Sequence, residues 1–470
     1  MYIRIQDDYT NTTGRRVLNY YILRIRMTFM NLRRILILIF LTLSIASEVM
    51  AQSSNEMSIH LSLKDALASV DTINFKVLMA NARLEQAIAR IAQAQSDLLP
   101  HLDGVASGGR QTVDMRSEGI QFPGLGPHLG PYNTFDARLR VTVALFDPSA
   151  FERFQAAKKG EDLSQAELEK TREDILALVA TLFVDAQRKQ QTVDLLQTLL
   201  ERDQMAYDLS QDNLTQGTGT LLDSNKLESD LDQTKFLLEQ AKLQAEDARL
   251  DLAAALQLPT DVPFDYFDDK PFLKNLEKNA DINFNNATNA DMALASSQLD
   301  ARMADQKSAY ADFLPKVAGS ADYGRSGESP DHGSNTYFVG LQASLPLWDG
   351  GQQQAKLKEV KGEVKEAQEN LLDVSQQTLV TIAKARSAIV EADDLRIAKT
   401  QERLTAERSL RIAFHAQEIG SGSVFEVMLA KSALALAEDE YNEAQATWEM
   451  AHIDLLHAQG KLRSLIKKGE

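Results

Sequence analysis

The stretch SDLLPHLDG, from Ser96 to Gly104, ends a run with helical periodicity and begins one with strand character. A closely similar stretch, ADFLPKVAG, returns 215 positions later, from Ala311 to Gly319. Proline disfavours the helical conformation in the residue before it and cannot donate to a helix ladder. Pro100 and Pro315 are therefore predicted helix-to-strand breaks, and the chain makes the same change of structure twice.

The repeated stretch belongs to a long internal duplication. Residues 83–110 aligned with 298–325 give ten identities in 28 positions. Two more pairs follow in the same order in both halves: VTVALFDPS (141–149) with QASLPLWDGG (342–351), and QGTGTLLD (216–223) with IGSGSVFE (419–426). The repeating unit is about 200 residues, far longer than the 20 to 50 residues of solenoid repeats. We interpret it as a duplicated domain.

Each repeat combines long helices with one hairpin. The first repeat (52–258) and the second (290–466) are joined by residues 259–289. Apolar spacing and helix-forming residues predict helices at 61–99, 148–213, 221–258, 290–314, 350–417 and 424–466. Apolar residues from Val360 to Leu395 alternate in steps of four and three, which predicts a coiled-coil heptad seam. The two longest helices would each span about 100 Å.

The segments between these helices alternate with a period of two. Residues 135–145 and 337–347 place apolar side chains on one side and polar ones on the other, as strands do. Each follows a weaker extended stretch, which predicts β-hairpins at 101–146 and 316–348. The sequence therefore predicts a mainly α chain with four strands.

The N-terminal segment has the features of a secretory signal. Arg33 and Arg34 precede an apolar run at 35–46, and a small-residue site ends at Ala51. We expect residues 1–51 to comprise an upstream extension and a cleaved signal peptide, with Met30 as the better start. Removing them changes the net charge from −17 to −21, which argues against a nucleic-acid partner.

The composition also limits the chemistry. The chain has no cysteine, which excludes disulfides, thiolate metal sites and cysteine nucleophiles. The seven histidines are scattered, and we expect neither a metal site nor a cofactor. After the signal no run of 18 apolar residues follows, so the exported chain is either soluble or crosses a membrane as strands.

The strands match the length of tilted transmembrane strands, about ten residues with one apolar face. Four strands cannot close a barrel, and unpaired edges are not tolerated in lipid, so several chains would have to pool their strands. Three chains would give twelve strands, with Arg138, Arg140, Gln342 and Ser344 facing a water-filled bore. The alternative is a soluble export whose two small sheets pack on a helical bundle.

The duplicated LP helix ends, the LFDP and LWDGG helix starts and the paired GTGTLLD and GSGSVFE turns resemble the TolC family of outer-membrane efflux proteins. The resemblance implies a homotrimer in a Gram-negative outer membrane, with a 12-stranded β-barrel and a long α-helical barrel across the periplasm. It implies the exit duct of a tripartite efflux or type I secretion system, opened by a periplasmic adaptor (membrane fusion) protein and a proton- or ATP-driven inner-membrane pump. Drugs, metal ions and proteins all remain possible cargo, and 259–289 would form an equatorial belt.

The same resemblance assigns roles to the helix turns. It implies adaptor-docking tips at Gly217, Thr218, Gly219, Gly420, Ser421 and Gly422. It also implies a periplasmic gate at an acidic residue past each turn, positions that Asp223 and Glu426 hold. Both acids also lie early in predicted helices, where the helix dipole favours an anion, so a capping role explains them as well. A basic residue and a tyrosine of the family's reference member are replaced by Gly422 and Gln417. We expect weak, cation-preferring conductance.

The sequence bears on two other classes of protein. An enzyme is disfavoured because no Gly-x-Ser-x-Gly, His-Glu-x-x-His or phosphate-loop motif is present. A periplasmic or surface coiled-coil scaffold without a pore fits the helices but leaves the apolar strand faces without a role.

Overall fold

The computed structural model describes residues 59–114, 119, 128–259, 264–267 and 289–463. The upstream extension and signal peptide, most of the loop inside the first hairpin and most of the predicted belt lie outside these ranges. The chain divides into two compact units. The described residues of the smaller unit are 59–60 and 264–265, and the helices and the four-stranded sheet discussed below belong to the larger one.

Helices dominate the described chain and alternate with strands. In chain order the elements are β1 (Ile59–Ser62), α1 (Leu63–Ile73), α2 (Phe75–Ser96), β2 (His101–Asp114), β3 (His128–Phe146), α3 (Pro148–Thr215), α4 (Leu221–Leu256), β4 (Phe264–Phe267), α5 (Ala290–Ala311), β5 (Lys316–Gly327), β6 (Gly333–Ser344), α6 (Gln352–Glu418) and α7 (Val424–Ala458). The long helices α3 and α6 have 68 and 67 residues, so each spans about 100 Å.

The single helix predicted over 61–99 is two helices in the structure. Asn74 separates α1 from α2 with an extended backbone (φ −70°, ψ 123°). Its side chain accepts a hydrogen bond from the Lys76 amide and donates one to the Ala255 carbonyl at the end of α4, both at 2.9 Å. Asparagine is a favoured N-cap, so this side chain both starts α2 and fixes it to α4.

The second repeat has the same device at Asn289. Its side chain accepts a hydrogen bond from the Asp291 amide (2.6 Å) and donates one to the Ala458 carbonyl at the end of α7 (2.8 Å). Asn74 and Asn289 are separated by the same 215 positions as the helix-to-strand stretches. The duplication is therefore visible in the tertiary contacts as well as in the sequence.

Several elements end earlier than the sequence pattern indicates, and the two largest differences are at the last helix and the second hairpin. The helix predicted over 424–466 ends at Ala458, and Gly460 takes a left-handed conformation (φ +64°) that stops it. The second hairpin was predicted to continue to 348, but β6 ends at Ser344. Pro346 has no amide hydrogen for a strand ladder, which accounts for the shorter strand.

Each hairpin returns to a long helix at an aspartate. Asp147 is the N-cap of α3 and accepts from the Ala150 amide (3.0 Å), with Pro148 as the first helical residue. Asp349, which precedes α6, accepts from the Gln353 amide (2.9 Å). The LFDP and LWDGG stretches are thus helix starts placed directly after strands.

The two long helices pack differently within the chain. α3 packs against α2 and α4 of its own repeat and also against α5 and α7 of the other. α6 packs on α5 and α7, both from its own repeat. Its buried seam consists of Val360, Val364, Thr378, Ile382, Ala385, Ile389 and Ala392. No helix in the described ranges is long and apolar enough to cross a bilayer.

The hairpins join in one antiparallel sheet with the order β2-β3-β5-β6. The central pairing, β3 with β5, brings the two repeats together. One row across the sheet is Gly104, Leu139, Tyr323 and Tyr337, and directly opposite residues share a face. Among the described strands, β2 and β6 each have a single neighbour in this sheet.

Candidate functional site: a two-faced sheet and two helix turns

One face of the four-stranded sheet is apolar and open. Leu139 on the central strand β3 and Tyr337 on the edge strand β6 are 58% and 79% exposed. Val141, Val339 and Leu341 extend the same face and are also exposed. Isolated exposed apolar residues are common, but a contiguous apolar face marks a surface that meets another apolar phase.

The opposite face carries paired charges. Asp103, Arg140, Asp322 and Phe338 form the next row across the sheet. Arg138 Nη1 donates to Asp322 Oδ1 at 2.9 Å across the strands, and its Nε and Nη2 donate to Asp136 on its own strand. This face is polar and hydrogen-bonded, as the wall of an aqueous channel would be.

Pro100 and Pro315 lie at the junction of helix and strand in each repeat. Pro100 immediately precedes β2, and α2 has already ended at Ser96. Pro315 immediately precedes β5 after α5 ends at Ala311. Each proline therefore stands at the first extended residue after a short turn that follows the helix.

The first helix turn connects α3 to α4 through Gly217. Gly217 is left-handed (φ +75°) and its amide donates to the Leu214 carbonyl at 3.1 Å. The amides of Thr218 and Gly219 both donate to the Asn213 carbonyl (2.9 and 3.0 Å). This is a Schellman C-cap, which satisfies the last carbonyls of α3 and requires a glycine at the left-handed position.

The second turn, between α6 and α7, repeats this geometry. Gly420 is left-handed (φ +73°) and its amide donates to the Gln417 carbonyl at 3.0 Å. The amides of Ser421 and Gly422 both donate to the Ala416 carbonyl at 2.9 Å. The structure thus places all six predicted tip residues in two matching turns.

Of the two predicted gate acids, Glu426 caps its helix, whereas Asp223 accepts a hydrogen bond from the residue that caps its helix. Thr220 caps α4 by accepting from the Asp223 amide (3.2 Å), and its hydroxyl donates to Asp223 Oδ2 (2.6 Å). Ser423 and Glu426 form a reciprocal capping box at the start of α7, with bonds of 3.1 and 2.9 Å. The capping role is therefore observed for Glu426 and not for Asp223, and both carboxylates remain exposed at the tips.

A polar contact beneath the first turn was not predicted from the sequence. Gln211 Nε2 on α3 lies 2.9 Å from both Tyr207 Oη and Ser224 Oγ, and Ser224 is buried. Ser224 directly follows Asp223, so this contact fixes the start of α4 against α3. Three polar residues on two separate helices carry no local sequence signal, which is why the contact was missed.

A hollow of about 680 Å³ on α6 near the second turn was also missed. It is lined by Arg408, Arg411, Ile412, Phe414, His415 and Glu418. Exposed arginines on a helix normally belong to a solvated face, so their pattern alone does not indicate a surface of interest.

A cluster of charged groups joins the C-terminal end of α7 to the middle part of α3. Hydrogen bonding to Asp174 (3.0 Å) raises the pKa of His457 above its ordinary value, although burial opposes it. Burial would raise the pKa of Asp174, but hydrogen bonds from His457 and Lys170 outweigh it and lower that pKa. Burial raises the pKa of Glu173, although it accepts from the Leu462 amide (3.2 Å) and that of the next residue.

Known proteins match this chain over both repeats. The family model described as "Outer membrane efflux protein" matches residues 68–257 and 285–461. Over 269 residues, the chain is 24% identical to "Alkaline protease secretion protein AprF" of Pseudomonas aeruginosa, and this alignment covers 54% of each of the two chains. The matched stretch spans about half of that relative.

Solved structures extend the match to most of the chain. The outer membrane protein VceC of Vibrio cholerae has a TM-score of 0.68 at 20% identity, covering 85% of this chain and 96% of its own. The CmeC outer membrane channel of Campylobacter jejuni has a TM-score of 0.69 at 17% identity, covering 86% and 88%. These likenesses confirm the predicted fold class of the chain, with its long helices and four-stranded sheet.

Proposed function

Because this chain belongs to the outer membrane efflux protein family, as its motifs predicted, we propose that it is a trimeric exit duct in the outer membrane of a Gram-negative bacterium. In this proposal the sheet forms one third of a 12-stranded barrel, and the long helices continue it into the periplasm. The chain acts as a passive conduit and not as an enzyme. An adaptor protein and an inner-membrane pump drive export through it, and the pump selects the cargo.

The observation that carries the proposal is the sheet, which has one exposed apolar face, one polar face and two edges that no other described strand pairs with. An open sheet edge in lipid leaves amides and carbonyls without partners, at several kcal/mol each. Pairing β6 of one chain with β2 of the next removes both edges when the ring closes. Four strands from each of three chains then give a barrel wide enough to hold water.

The helices support the same assembly. α3 packs against α5 and α7 of the other repeat, whereas α6 has no extended packing against α2 or α4 among the described residues. The helices α4 and α6, which do not pack extensively against each other in the described part of the chain, both carry exposed apolar residues: Phe236 and Leu243 on α4, Leu372 and Leu379 on α6. A neighbouring chain would bury these side chains by packing its α6 against α4, as α3 packs against α7 within one chain.

Membrane fractionation and bilayer recording test the duct itself. A heat-modifiable trimer in the outer-membrane fraction that conducts in planar bilayers is the expected result. A chain that stays in the soluble fraction without detergent would instead be the coiled-coil scaffold, and the proposed pore would be wrong.

We further propose that Asp223 and Glu426 narrow the periplasmic end and favour cations there. In a trimer, six carboxylates would approach the axis, where like charges repel unless they are solvated or bind cations. A cation about 10 Å from one of them gains roughly 0.4 kcal/mol in water before salt screening, so six would change ion preference several-fold. The hollow lined by Arg408 and Arg411 and the two glycine turns are the proposed adaptor contacts.

Separating gate from cap requires two double variants. Asp223→Asn with Glu426→Gln removes both charges and keeps oxygen acceptors for the caps. Thr220→Ala with Ser423→Ala keeps both charges and removes the cap hydroxyls, at about 1 kcal/mol each. The first pair should lower cation preference in bilayers and the second should leave it unchanged. If both double variants and the parent show the same ion selectivity, the proposal that Asp223 and Glu426 form the gate is wrong.

A further inference from the structure

Phe338 is an aromatic side chain on the polar face of the sheet. It shares a row with Asp103, Arg140 and Asp322, and all of these directly opposed residues point to the same side. Its neighbours in the chain, Tyr337 and Val339, belong to the apolar face. Phe338 is 54% exposed, so about half of its surface is uncovered.

Gly340 holds this ring against the sheet. A methyl group built on Gly340 would lie 2.5 Å from Phe338 Cζ, 2.8 Å from Cε1 and 3.5 Å from Cε2. The far end of the ring therefore covers the Gly340 backbone, in space that any other residue would fill with its own Cβ. The backbone of Gly340 is not left-handed and does not itself require glycine. The absence of a side chain at this position instead leaves room for the Phe338 ring.

A different close contact occurs at a glycine one strand away. Arg138 lies opposite Gly324, where a methyl group would overlap both the Arg138 Cβ and the Ala137 carbonyl, so the two strands approach closely there. The Arg138 guanidinium donates to Asp322, which lies on the same strand as this glycine. On the polar face Arg138 is thus held by its charge partners, whereas Phe338 is held by packing against Gly340.

Resting on the proposed function, we propose that Phe338 sets the width of the bore within the sheet and that Gly340 is the positioning residue that keeps it open. In the trimer, three rings at one level form an apolar layer in an otherwise polar wall. A ring lying flat takes about 3.5 Å of radius, one carbon contact distance. A ring displaced from Gly340 would project further towards the axis.

Substitutions at Phe338 and Gly340 should therefore have opposite effects on the width of the bore. Phe338→Ala removes the layer and widens the bore at this level by up to about 3 Å in radius. Gly340→Ala requires the ring to move by about 1 Å or more to reach ordinary contact distance, so the bore narrows. Tyr337→Ala, an adjacent aromatic on the other face, is the matched control and should leave the bore unchanged.

The chain has no cysteine, so a single reporter thiol measures the bore directly. Gln342 follows Gly340 by two residues on the polar face, beyond Phe338 as seen from the β5–β6 turn. Gln342→Cys is placed in the parent, Phe338→Ala, Gly340→Ala and Tyr337→Ala chains. Whole cells are treated with maleimide-polyethylene glycols of graded size, and labelled trimers are resolved on gels.

We expect the largest polymer that reacts to increase for Phe338→Ala, decrease for Gly340→Ala and stay the same for Tyr337→Ala. An unchanged limit for Phe338→Ala, or a change for Tyr337→Ala alone, overturns the inference. Phe338→Ala and its control decide the question even when Gly340→Ala fails to form heat-modifiable trimers. Folded trimers whose Gln342→Cys thiol resists even the smallest reagent would instead contradict the water-filled bore of the proposed function.

Discussion

The Arg188–Asp439 ion pair between α3 and α7 should be worth more than the other charge pairs that join the repeats. Arg188 Nη1 and Nη2 donate to the two Asp439 oxygens at 2.6 and 2.9 Å, and the Arg188 Nη1 also donates to Thr192 Oγ1 (2.8 Å). The side chains are 17% and 16% exposed. The geometry is bidentate and mostly shielded from water, which is the strong form of this contact.

The magnitude follows from the burial. Exposed ion pairs contribute about 0 to 1 kcal/mol, whereas removing one partner of a buried pair costs about 3 to 5 kcal/mol. With about one sixth of each side chain exposed, Arg188→Met should lower the free energy of unfolding by about 2 kcal/mol. That is a change of roughly 30-fold in the folding equilibrium.

A double-mutant cycle isolates the pair. Arg188→Met, Asp439→Asn and the double variant are unfolded in guanidinium as detergent-solubilised trimers, and helix content is followed by circular dichroism. The double variant should be less destabilised than the two single variants together, by a coupling of about 1.5 kcal/mol, because it leaves no uncompensated charge.

The matched control is the Lys431–Glu201 pair, which joins the same two helices nearer the turns at 3.0 Å. Its side chains are 47% and 63% exposed, so its coupling should be below about 0.5 kcal/mol. Equal couplings for the two pairs would refute the argument that burial sets their strength.

Three further predictions concern helix ends and the charged cluster. Because the folded pKa of His457 is raised, its contribution is full below about pH 6.5 and is lost as pH rises. The free energy of unfolding of His457→Gln should therefore be about 1 kcal/mol below that of the parent at pH 6, and the two should converge as the pH rises to 9. Gly217→Ala should cost about 1 to 2 kcal/mol in denaturant unfolding, since nothing blocks its Cβ and only the left-handed backbone penalises it. Asn74→Ala and Asn289→Ala should each cost about 1 to 2 kcal/mol and increase amide hydrogen exchange where the helix ends meet.

The alternating and helical periods predict the element types well because each depends on which face of one segment is buried. They do not predict contacts between distant segments, and Asn74 shows why. Its role depends on the Ala255 carbonyl, 181 residues away, so local spacing favours an unbroken helix. Alignment with Asn289, which precedes a predicted helix start, is the signal that could have found the break.

Phe338 illustrates the same limit in the sheet. Tyr337, Phe338 and Val339 are three apolar residues in succession, so alternation read from hydrophobicity fails at the middle one. The strand register restores it, because the partner of Phe338 is Asp322 on the polar face. For Asp223 and Glu426 the position in the helix predicts capping, and the family resemblance implies a gate. The structure shows the cap at Glu426 and only a bond from the Thr220 hydroxyl at Asp223, whereas a gate depends on neighbouring subunits.

The duplication also explains why the proposed assembly should close as a ring. Within one chain, β3 pairs with β5 and α3 packs on α5 and α7, so the first repeat presents one side to the second. The other side of each repeat, at β2 and β6, has no such partner among the strands that the structure describes. A head-to-tail contact that reuses similar surfaces gives a ring when its rotation divides the circle and a filament when it does not. If the contact between chains resembles the contact within one chain, each repeat is rotated from the previous one by a similar angle. Six repeats, from three chains, then complete a full circle. Changes on the β3–β5 seam should then have counterparts on the β6–β2 seam.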